Sequence, residues 1–389
     1  MREGWKEVKL RDVAEIKYGK DHKKLGEGTY PLYGSGGIMR YVDSYLSEEE
    51  SILIPRKGTL SNLFYLNQPF STVDTMFWTK INSSIVVPRF LYYLLKTYDL
   101  ASFDEGAAIP SLTTKTLNVI KIKVPPLSTQ KKIADILSAY DDLIENNLKR
   151  IQLLEEQAQL IYEEWFVRMK FPGYETAKIN EETGLPEGWE KVKLIEIADI
   201  TMGQSPQSSH YNQEQKGLPF HQGVKDYGFR FPINVTYSTA GNKIANENDI
   251  LFSVRAPVGR LNMSYEKVIL GRGLAAIKEK KGRNSFLFYQ LKNIFFEDNL
   301  IGGGAIYNSV TKTDIETQKV LKPSEETINK FDHQTKNNDS MIKNLTTQNR
   351  LLQEARDLLL PRLMMGMIDV EEERLGMVAE ERAEYKMKK

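Results

Sequence analysis

The chain has 389 residues, 41% of them hydrophobic and 27% charged, with a formal net charge of +1 and no cysteine. That length exceeds one ordinary core, and the composition excludes a disordered or fibrous protein. The lack of cysteine excludes disulfides, cysteine-ligated zinc and thiol nucleophiles, and no apolar run approaches the roughly 20 residues that span a bilayer.

Met1 to Leu10 mixes charges with single apolar residues and lacks an apolar signal core, so the expected location is the cytoplasm. The segment opens on GWKEVKLRDVAEIKYGK (4–20), and this phrase returns at 188–204 as GWEKVKLIEIADITMGQ, 184 positions on. FLYYLLK (90–96) returns as FLFYQLK (286–292), and AAIPSLTTKT (107–116) as GAIYNSVTKT (304–313) at an offset of 197. That offset continues from Asp142, Asn147, Leu148, Leu154 and Ala158 to Asp339, Asn344, Leu345, Leu351 and Ala355. The growing offset puts an insertion of about 13 residues between Gln204 and Ile250. A repeat this long is a domain plus a helix, not a solenoid unit.

Within the first copy, Ser51 to Pro55 reads as a buried strand and Ile85 to Tyr98 as a helix after Pro88; Asp249 to Val254 and Ser285 to Phe296 repeat them. Strands and helices do not alternate regularly, so each globular copy is assigned to the α+β class. Pro125-Pro126 and Ser128 then open a long helix, as Pro323 and Ser324 open a second. In the first, Ile133, Leu137, Tyr140, Ile144, Asn147, Ile151, Leu154, Ala158, Ile161 and Trp165 alternate spacings of four and three without a break. This is a coiled-coil seam, with Asn147 as a register-fixing polar group and Asn344 as its expected counterpart. The second helix is less regular. Met341, Ile342, Leu345, Leu351, Leu352, Ala355, Leu358 and Leu359 give its stripe, and the two helices are expected to pair antiparallel. The expected organisation is therefore domain 1–125, helix 126–171, linker 172–187, domain 188–323, helix 324–366 and charged tail 367–389. The domains carry net charges of +3 and +4 (the latter from 186), the helical segments −4 and −2, which is modestly favourable for phosphate contact.

No catalytic motif stands out. The only Gly-Lys is Gly19-Lys20, outside any P-loop, and Gly302-Gly303-Gly304 is not a dinucleotide fingerprint. There is no G-x-S-x-G and no Asp/Asn-Pro-Pro-aromatic tetrapeptide. The four histidines, His22, His210, His221 and His333, have no metal-ligand spacing, and Glu48–Glu50 and Glu371–Glu373 read as solvated acidic turns. No catalytic residue, metal site or cofactor site is assigned to the chain.

What remains is a set of polar, basic, glycine-rich loops suited to DNA. In the first copy they present Lys17, Tyr18, Lys20, Lys23, Lys24, Tyr33, Ser35, Arg56, Lys57, Thr59 and Asn62. In the second they present Gln204, Ser205, Gln207, Ser208, Tyr211, Gln222, Lys225, Arg255, Arg260, Arg272, Tyr307 and Asn308. Arginine and lysine contact phosphate or guanine, asparagine and glutamine read adenine, and glycine lets the backbone approach. Arg56 and Arg255 are expected to occupy equivalent strand-to-loop turns.

The order of these parts resembles the DNA-specificity subunits of type I restriction–modification enzymes over essentially the whole chain. The resemblance is carried by the twice-used GW-x-x-V-x-L opening, YPLYGSGGI (30–38), SVRAPVGRLN (253–262), GRGLAAI (271–277), PPLSTQKKIADILSAYDDLIENN (125–147) and LLQEARDLLLPRLMMG (351–366). It implies a non-catalytic subunit that binds double-stranded DNA at a bipartite site and docks two methyltransferase subunits and, in the restricting form, motor-nuclease subunits. S-adenosylmethionine and ATP with magnesium then belong to those partners. The alternatives are a subunit serving a fused nuclease–methylase, a stand-alone DNA-modifying enzyme, or a purely structural coiled-coil protein.

Overall fold

Each globular copy begins and ends in one two-stranded ribbon. In the first, β1 (Lys6–Lys9) pairs antiparallel with the last strand of the domain, so that Lys6 faces Val124. The computed structural model describes residues 4–103, 111–295 and 309–370, and its contacts divide the chain into two units, residues up to 146 with those from 349 on, and residues 147–348. The division falls inside both long helices, so each unit owns one globular copy and a half of each helix.

In the first unit β1 leads into a single turn, α1 (Leu10–Val13), and β2 (Ala14–Tyr18). The Asp12 carboxylate accepts the Lys9 backbone N–H at 2.8 Å and closes the turn. β3 (Glu27–Gly34) and β4 (Gly37–Val42) form a hairpin, and β5 (Ser51–Pro55), β6 (Phe64–Leu66), β7 (Ser71–Thr72) and β8 (Met76–Ile81) follow. The main sheet is antiparallel in the order β2-β8-β5-β6, while β7 lies parallel to β3. All five residues of β5 are buried, as its apolar run requires. α2 (Pro88–Lys96), α3 (Thr114–Asn118), β9 (Lys121–Val124) and the long helix α4 (Leu127–Tyr162) complete the copy. Leu10, Ile52, Phe77, Phe90 and Ile122 form one core with Ile133 and Leu137 of α4.

The second unit repeats the plan with β10 (Glu190–Lys193), α5 (Leu194–Ile197) and β11 (Ala198–Met202). Next come β12 (Tyr211–Asn212), β13 (Leu218–His221), which answers to β3, β14 (Tyr237–Ser238) and β15 (Ile244–Ala245). Then come β16 (Ile250–Ser253), β17 (Leu261–Met263), β18 (Val268–Leu270), β19 (Leu274–Glu279), α6 (Asn284–Ile294), α7 (Lys312–Thr317), β20 (Lys319–Lys322) and the second long helix α8 (Glu325–Met364). The sheet β11-β19-β16-β17 matches β2-β8-β5-β6 strand for strand. Strand register fixes the equivalences. Tyr18 and Ile54 face Phe77; Met202 and Phe252 face Ala275. From β5 onward these sheet pairs sit 198 positions apart, not 197. Threonine N-caps at Thr113 and Thr311 keep the same offset, and their hydroxyls accept from Thr116 N and Asp314 N.

The helices pair antiparallel within each unit. In the second, Phe331 of α8 packs on Trp165, while Asn338, one face lower, donates to the Leu154 carbonyl and to Gln157. In the first, Asn349 donates to the Ile144 carbonyl and Arg356 pairs with Asp141. The predicted α4 seam is in place: Ile133, Leu137, Ile144, Asn147, Ile151 and Ala158 are buried, and Tyr140, Leu154 and Ile161 half-buried. After Tyr162 the helix widens into a π turn, Glu163–Val167, which turns the adjacent Trp165 and Phe166 both inward.

The predicted α8 seam is corrected. Asn344 and Leu351 are exposed, as is Leu358; Leu345 is buried and Leu352 and Ala355 half-buried. The observed seam is Phe331, Thr335, Asn338, Ile342, Leu345, Asn349, Leu352, Arg356, Leu359 and Leu363, which is the α4 seam shifted by 198. Thr335, Asn338, Asn349 and Arg356 are polar, so a search for apolar residues slides off the inner face onto the outer leucines. The counterpart of Asn147 is Leu345, and Asn349 is the fully tucked-in asparagine of α8.

One buried acid gives the second unit a pH dependence. Burial pushes the Asp332 carboxyl up to about 6, with Asp339 nearby adding to the rise and Arg283 opposing it. A raised folded pKa means the native state holds its proton more tightly than the unfolded chain. Stability is therefore highest below the ordinary aspartate range and falls as pH rises toward 6. Asp332→Asn is expected to stabilise the protein at pH 7.5 and leave it nearly unchanged at pH 4. Denaturant melts at both pH values check this; an equal effect at both removes Asp332 from the titration.

Candidate nucleic-acid interface

In each unit three loops are tied by backbone hydrogen bonds to one tight turn. In the first unit the turn is Val73-Asp74-Thr75. Gly19 N donates to the Met76 carbonyl at 2.9 Å and Lys20 N to Thr72 at 3.1 Å, which fixes the loop after β2. Val73 N donates to Tyr33 at 3.0 Å, and Arg56 N to Thr75 at 2.9 Å, which fixes the ends of β3 and β5. A bridge from Lys57 to Ser111 brings in the segment before α3.

The second unit builds the same frame around Gly271-Arg272-Gly273. Gly203 N donates to Leu274 at 2.9 Å, Gln204 N to Leu270 at 2.9 Å, Gly271 N to His221 at 2.8 Å and Val254 N to Gly273 at 2.9 Å. Arg255 bridges to Ser309. A Cβ on Gly19 would lie 2.0 Å from the Val73 carbonyl oxygen, and one on Gly203 2.1 Å from that of Gly271. Only glycine permits this approach, which is why it recurs next to the end of the repeated phrase in both copies.

Matching the frames pairs Lys20 with Gln204, Tyr33 with His221, Gly34 with Gln222, Arg56 with Val254, Lys57 with Arg255 and Asp74 with Arg272. The expected equivalence of Arg56 and Arg255 is corrected: Arg255 answers to Lys57. The 198 offset, invisible in the divergent loop sequence, makes the difference.

The side chains follow from this frame. Arg56 is half-buried, donates to the Asp74 carbonyl at 3.1 Å and lies 5.6 Å over the Tyr18 ring, so it braces the turn. Asn62 donates to the Ser35 carbonyl at 2.9 Å, joining the loop that carries Thr59 to the β3–β4 hairpin. Lys20, Lys23, Lys24, Lys57 and Thr59 are exposed. Arg40, which sequence reasoning passed over, donates to the carbonyls of His22 at 2.8 Å and Leu25 at 3.0 Å and so anchors the Lys23-Lys24 loop. Its place on β4, 18 residues along the chain from His22, gave no sign of this long reach. His22, Ser35, Met39 and Asp74 line a cleft of about 550 Å³ at this end of the unit. Two expected residues are placed differently. Tyr33 is buried against Phe64 and belongs to the core, where burial raises its pKa, and Lys17 pairs along β2 with Glu15 at 2.6 Å.

In the second unit the Ser205 hydroxyl accepts the Arg272 backbone N–H at 3.1 Å and donates to the Gln222 side-chain oxygen at 2.6 Å. Gln204, Gln222, Lys225, Arg255, Arg260 and Arg272 are exposed around it, with Gln207 and Ser208 on the adjoining loop. Tyr211 is half-buried, stacked 4.6 Å from Phe220 with its hydroxyl on the Pro206 carbonyl; it closes that loop. His221, next to Gln222, is buried, burial lowers its pKa, and its Nε2 lies 3.0 Å from Asn234 Oδ1. Tyr307 and Asn308 lie outside the described residues. Among the described residues no group of three His, Cys, Asp or Glu is placed to hold a metal ion, and no helix is long and apolar enough to cross a membrane.

These loops can do one thing well: present donors and acceptors from a rigid backbone to a polyanion. Residues 2–156 and 186–356 match the family described as the type I restriction modification DNA specificity domain. The chain is 34% identical over 370 residues to a Methanocaldococcus jannaschii protein provisionally named the MjaX specificity subunit of a type I restriction enzyme, covering 92% of this chain and 84% of that one. It is 26% identical to the MjaIX specificity subunit of the same organism, covering 95% and 94% of the two chains. A solved S subunit of the type I restriction–modification system of M. genitalium, 16% identical, has the same fold, with a TM-score of 0.59 over 92% of this chain and 96% of that one.

Proposed function

The chain belongs to the family of type I restriction–modification DNA specificity subunits, and from that premise we propose that each loop frame reads one half of a bipartite DNA site. The observation that carries this reading is the frame itself. One backbone arrangement is built twice, and it carries different side chains at matched exposed positions: Lys20 against Gln204, Lys57 against Arg255, Asp74 against Arg272. Shared scaffolding with divergent tips is what two readers of unlike half-sites require.

Catalysis then rests with the partners, which supply the S-adenosylmethionine, ATP and magnesium chemistry in the cytoplasm, and motor-nuclease subunits join in the restricting form. The outer helix faces are the docking surfaces for two methyltransferase subunits. Leu153, Leu160 and Val167 follow one another by heptads, and so do Leu351, Leu358 and Met365; each is about half exposed or more. The second stripe is the first plus 198, so one partner surface fits both. Purified chain with S-adenosylmethionine should methylate no DNA; methylation by the chain alone overturns the division of labour.

Binding tests the reading. In the complex assembled with its methyltransferase subunits, Lys57→Ala and Arg255→Ala are each expected to weaken target binding. The loss is roughly 1–3 kcal/mol if the side chain reads a base, and the salt slope drops by about one if it meets a phosphate. Unchanged affinity and slope in both variants remove the loop frames from the DNA interface.

A further inference from the structure

The turn at the centre of each frame sends one side chain outward, Asp74 in the first unit and Arg272 in the second, and both are exposed. Resting on the reading above, we propose that this position determines specificity at one base pair per half-site, with Asp74 accepting from the amino group of a cytosine and Arg272 donating to a guanine.

Position is the first argument. The turn is the most restrained part of each frame, gripped from the β2, β3 and β5 loops in the first unit and from their counterparts in the second. A side chain that discriminates bases must start from a backbone that does not yield. In the first unit Arg56 spends its guanidinium on the Asp74 carbonyl and the Tyr18 ring, which holds the turn and leaves the carboxylate alone. In the second, Ser205 takes the Arg272 backbone N–H, which leaves the guanidinium alone. Among the described residues neither charged group has an ion-pair or hydrogen-bond partner.

Charge is the second argument. A lone carboxylate on a surface that meets phosphates is repelled by them. It is tolerated where a base amino group approaches it, and cytosine N4 in the major groove is the donor that a carboxylate matches. Asp74 also edges the 550 Å³ cleft with Ser35 and Met39, which leaves room for a base edge. An arginine on the same frame has the opposite preference, bidentate contact with guanine O6 and N7. The same position therefore reads opposite partners of a G·C pair in the two units.

The test uses the full chain assembled with its methyltransferase subunits and a pool of duplexes randomised in both half-sites. Wild type must first select a bipartite sequence; if it selects none, the DNA-reading proposal itself fails. Asp74→Ala is then expected to lose a cytosine at one position of one half-site, by roughly tenfold to a hundredfold in discrimination, and Arg272→Ala a guanine at one position of the other. All other positions should keep their preference. Selected sequences identical to wild type overturn the inference while leaving the parent reading intact. So does uniformly tighter binding by Asp74→Ala, or a salt slope lowered by about one in Arg272→Ala with preferences unchanged, which marks a phosphate contact. Loss of an adenine by Asp74→Ala overturns the base assignment. Should an alanine variant melt early, Asp74→Leu and Arg272→Met keep comparable bulk without a charge or a hydrogen-bonding group and carry the same expectations.

Discussion

Arg230→Ala is expected to lower the stability of the second unit by about 3–5 kcal/mol, the cost of leaving buried carboxylates without their cation. The Arg230 side chain is 2% exposed, and its two terminal nitrogens reach Glu155 of α4 at 2.8 Å and Asp339 of α8 at 3.0 Å. Its guanidinium lies 3.8 Å over the Phe288 ring and 5.3 Å from that of Tyr289. One residue of the reading domain thus binds both long helices at once. Glu155 and Asp339 keep weak compensation without it: Lys292 stands 3.7 Å from Glu155, the Tyr289 hydroxyl donates to Glu155 at 3.5 Å, and Ser285 donates to Asp339. Arg230→Lys should recover part of the loss, because an ammonium cannot fork to two carboxylates. The triple replacement Arg230→Met, Glu155→Met, Asp339→Leu should be far milder than Arg230→Ala, since the desolvation penalty disappears with the charges. Denaturant melts of the three variants check the set. An Arg230→Ala protein within 1 kcal/mol of wild type would show the cluster to be idle.

How far the sequence spoke can be judged from single residues. The repeat, its recurring glycines at 19 and 203 included, and the α4 seam were legible because internal identity and a period of 3.5 can be read along the chain; the backbone approach that requires those glycines depends on distant turns and was not. Asn349 was not, because a polar seam residue looks like a surface residue until its partner carbonyl, that of Ile144, is placed. Tyr33 was misread for the opposite reason. A tyrosine in a glycine-rich loop phrase suggests an exposed ring, yet the last four residues of β3 are all buried and its ring packs on Phe64. Among the candidate site residues, the exposed lysines and arginines of both loop sets were expected from residue type alone. Their pairing was not: it depends on hydrogen bonds between segments far apart in sequence, and that is what separates Lys57 from Arg56 as the partner of Arg255.

The two frames make a duplicated reader feasible, and the helix positions say what it needs. Replacing residues 6–124 by a second copy of 190–322 joins equivalent ribbon ends, since Lys6 pairs with Val124 as Glu190 pairs with Lys322. The incoming domain brings its own Arg230, which expects two carboxylates on the helices. The 198 shift maps Asp339 onto Asp141, so one carboxylate is present. It maps Glu155 onto Gln353 and Ala158 onto Arg356, so the other is missing and a second guanidinium already sits on Asp141. Two cations facing one acid in a buried setting should destabilise the duplicate by several kcal/mol. Gln353→Glu with Arg356→Ala supplies the absent acid and removes the rival cation. The corrected duplicate is expected to fold, to assemble with its methyltransferase partners, and to select DNA carrying the second half-site twice. The uncorrected duplicate should melt well below it. Selection of the original first half-site by the corrected chain would show that residues outside 6–124 read it. Equal stability with and without the two substitutions would show that the Arg230 cluster does not decide how the domain seats on its helices.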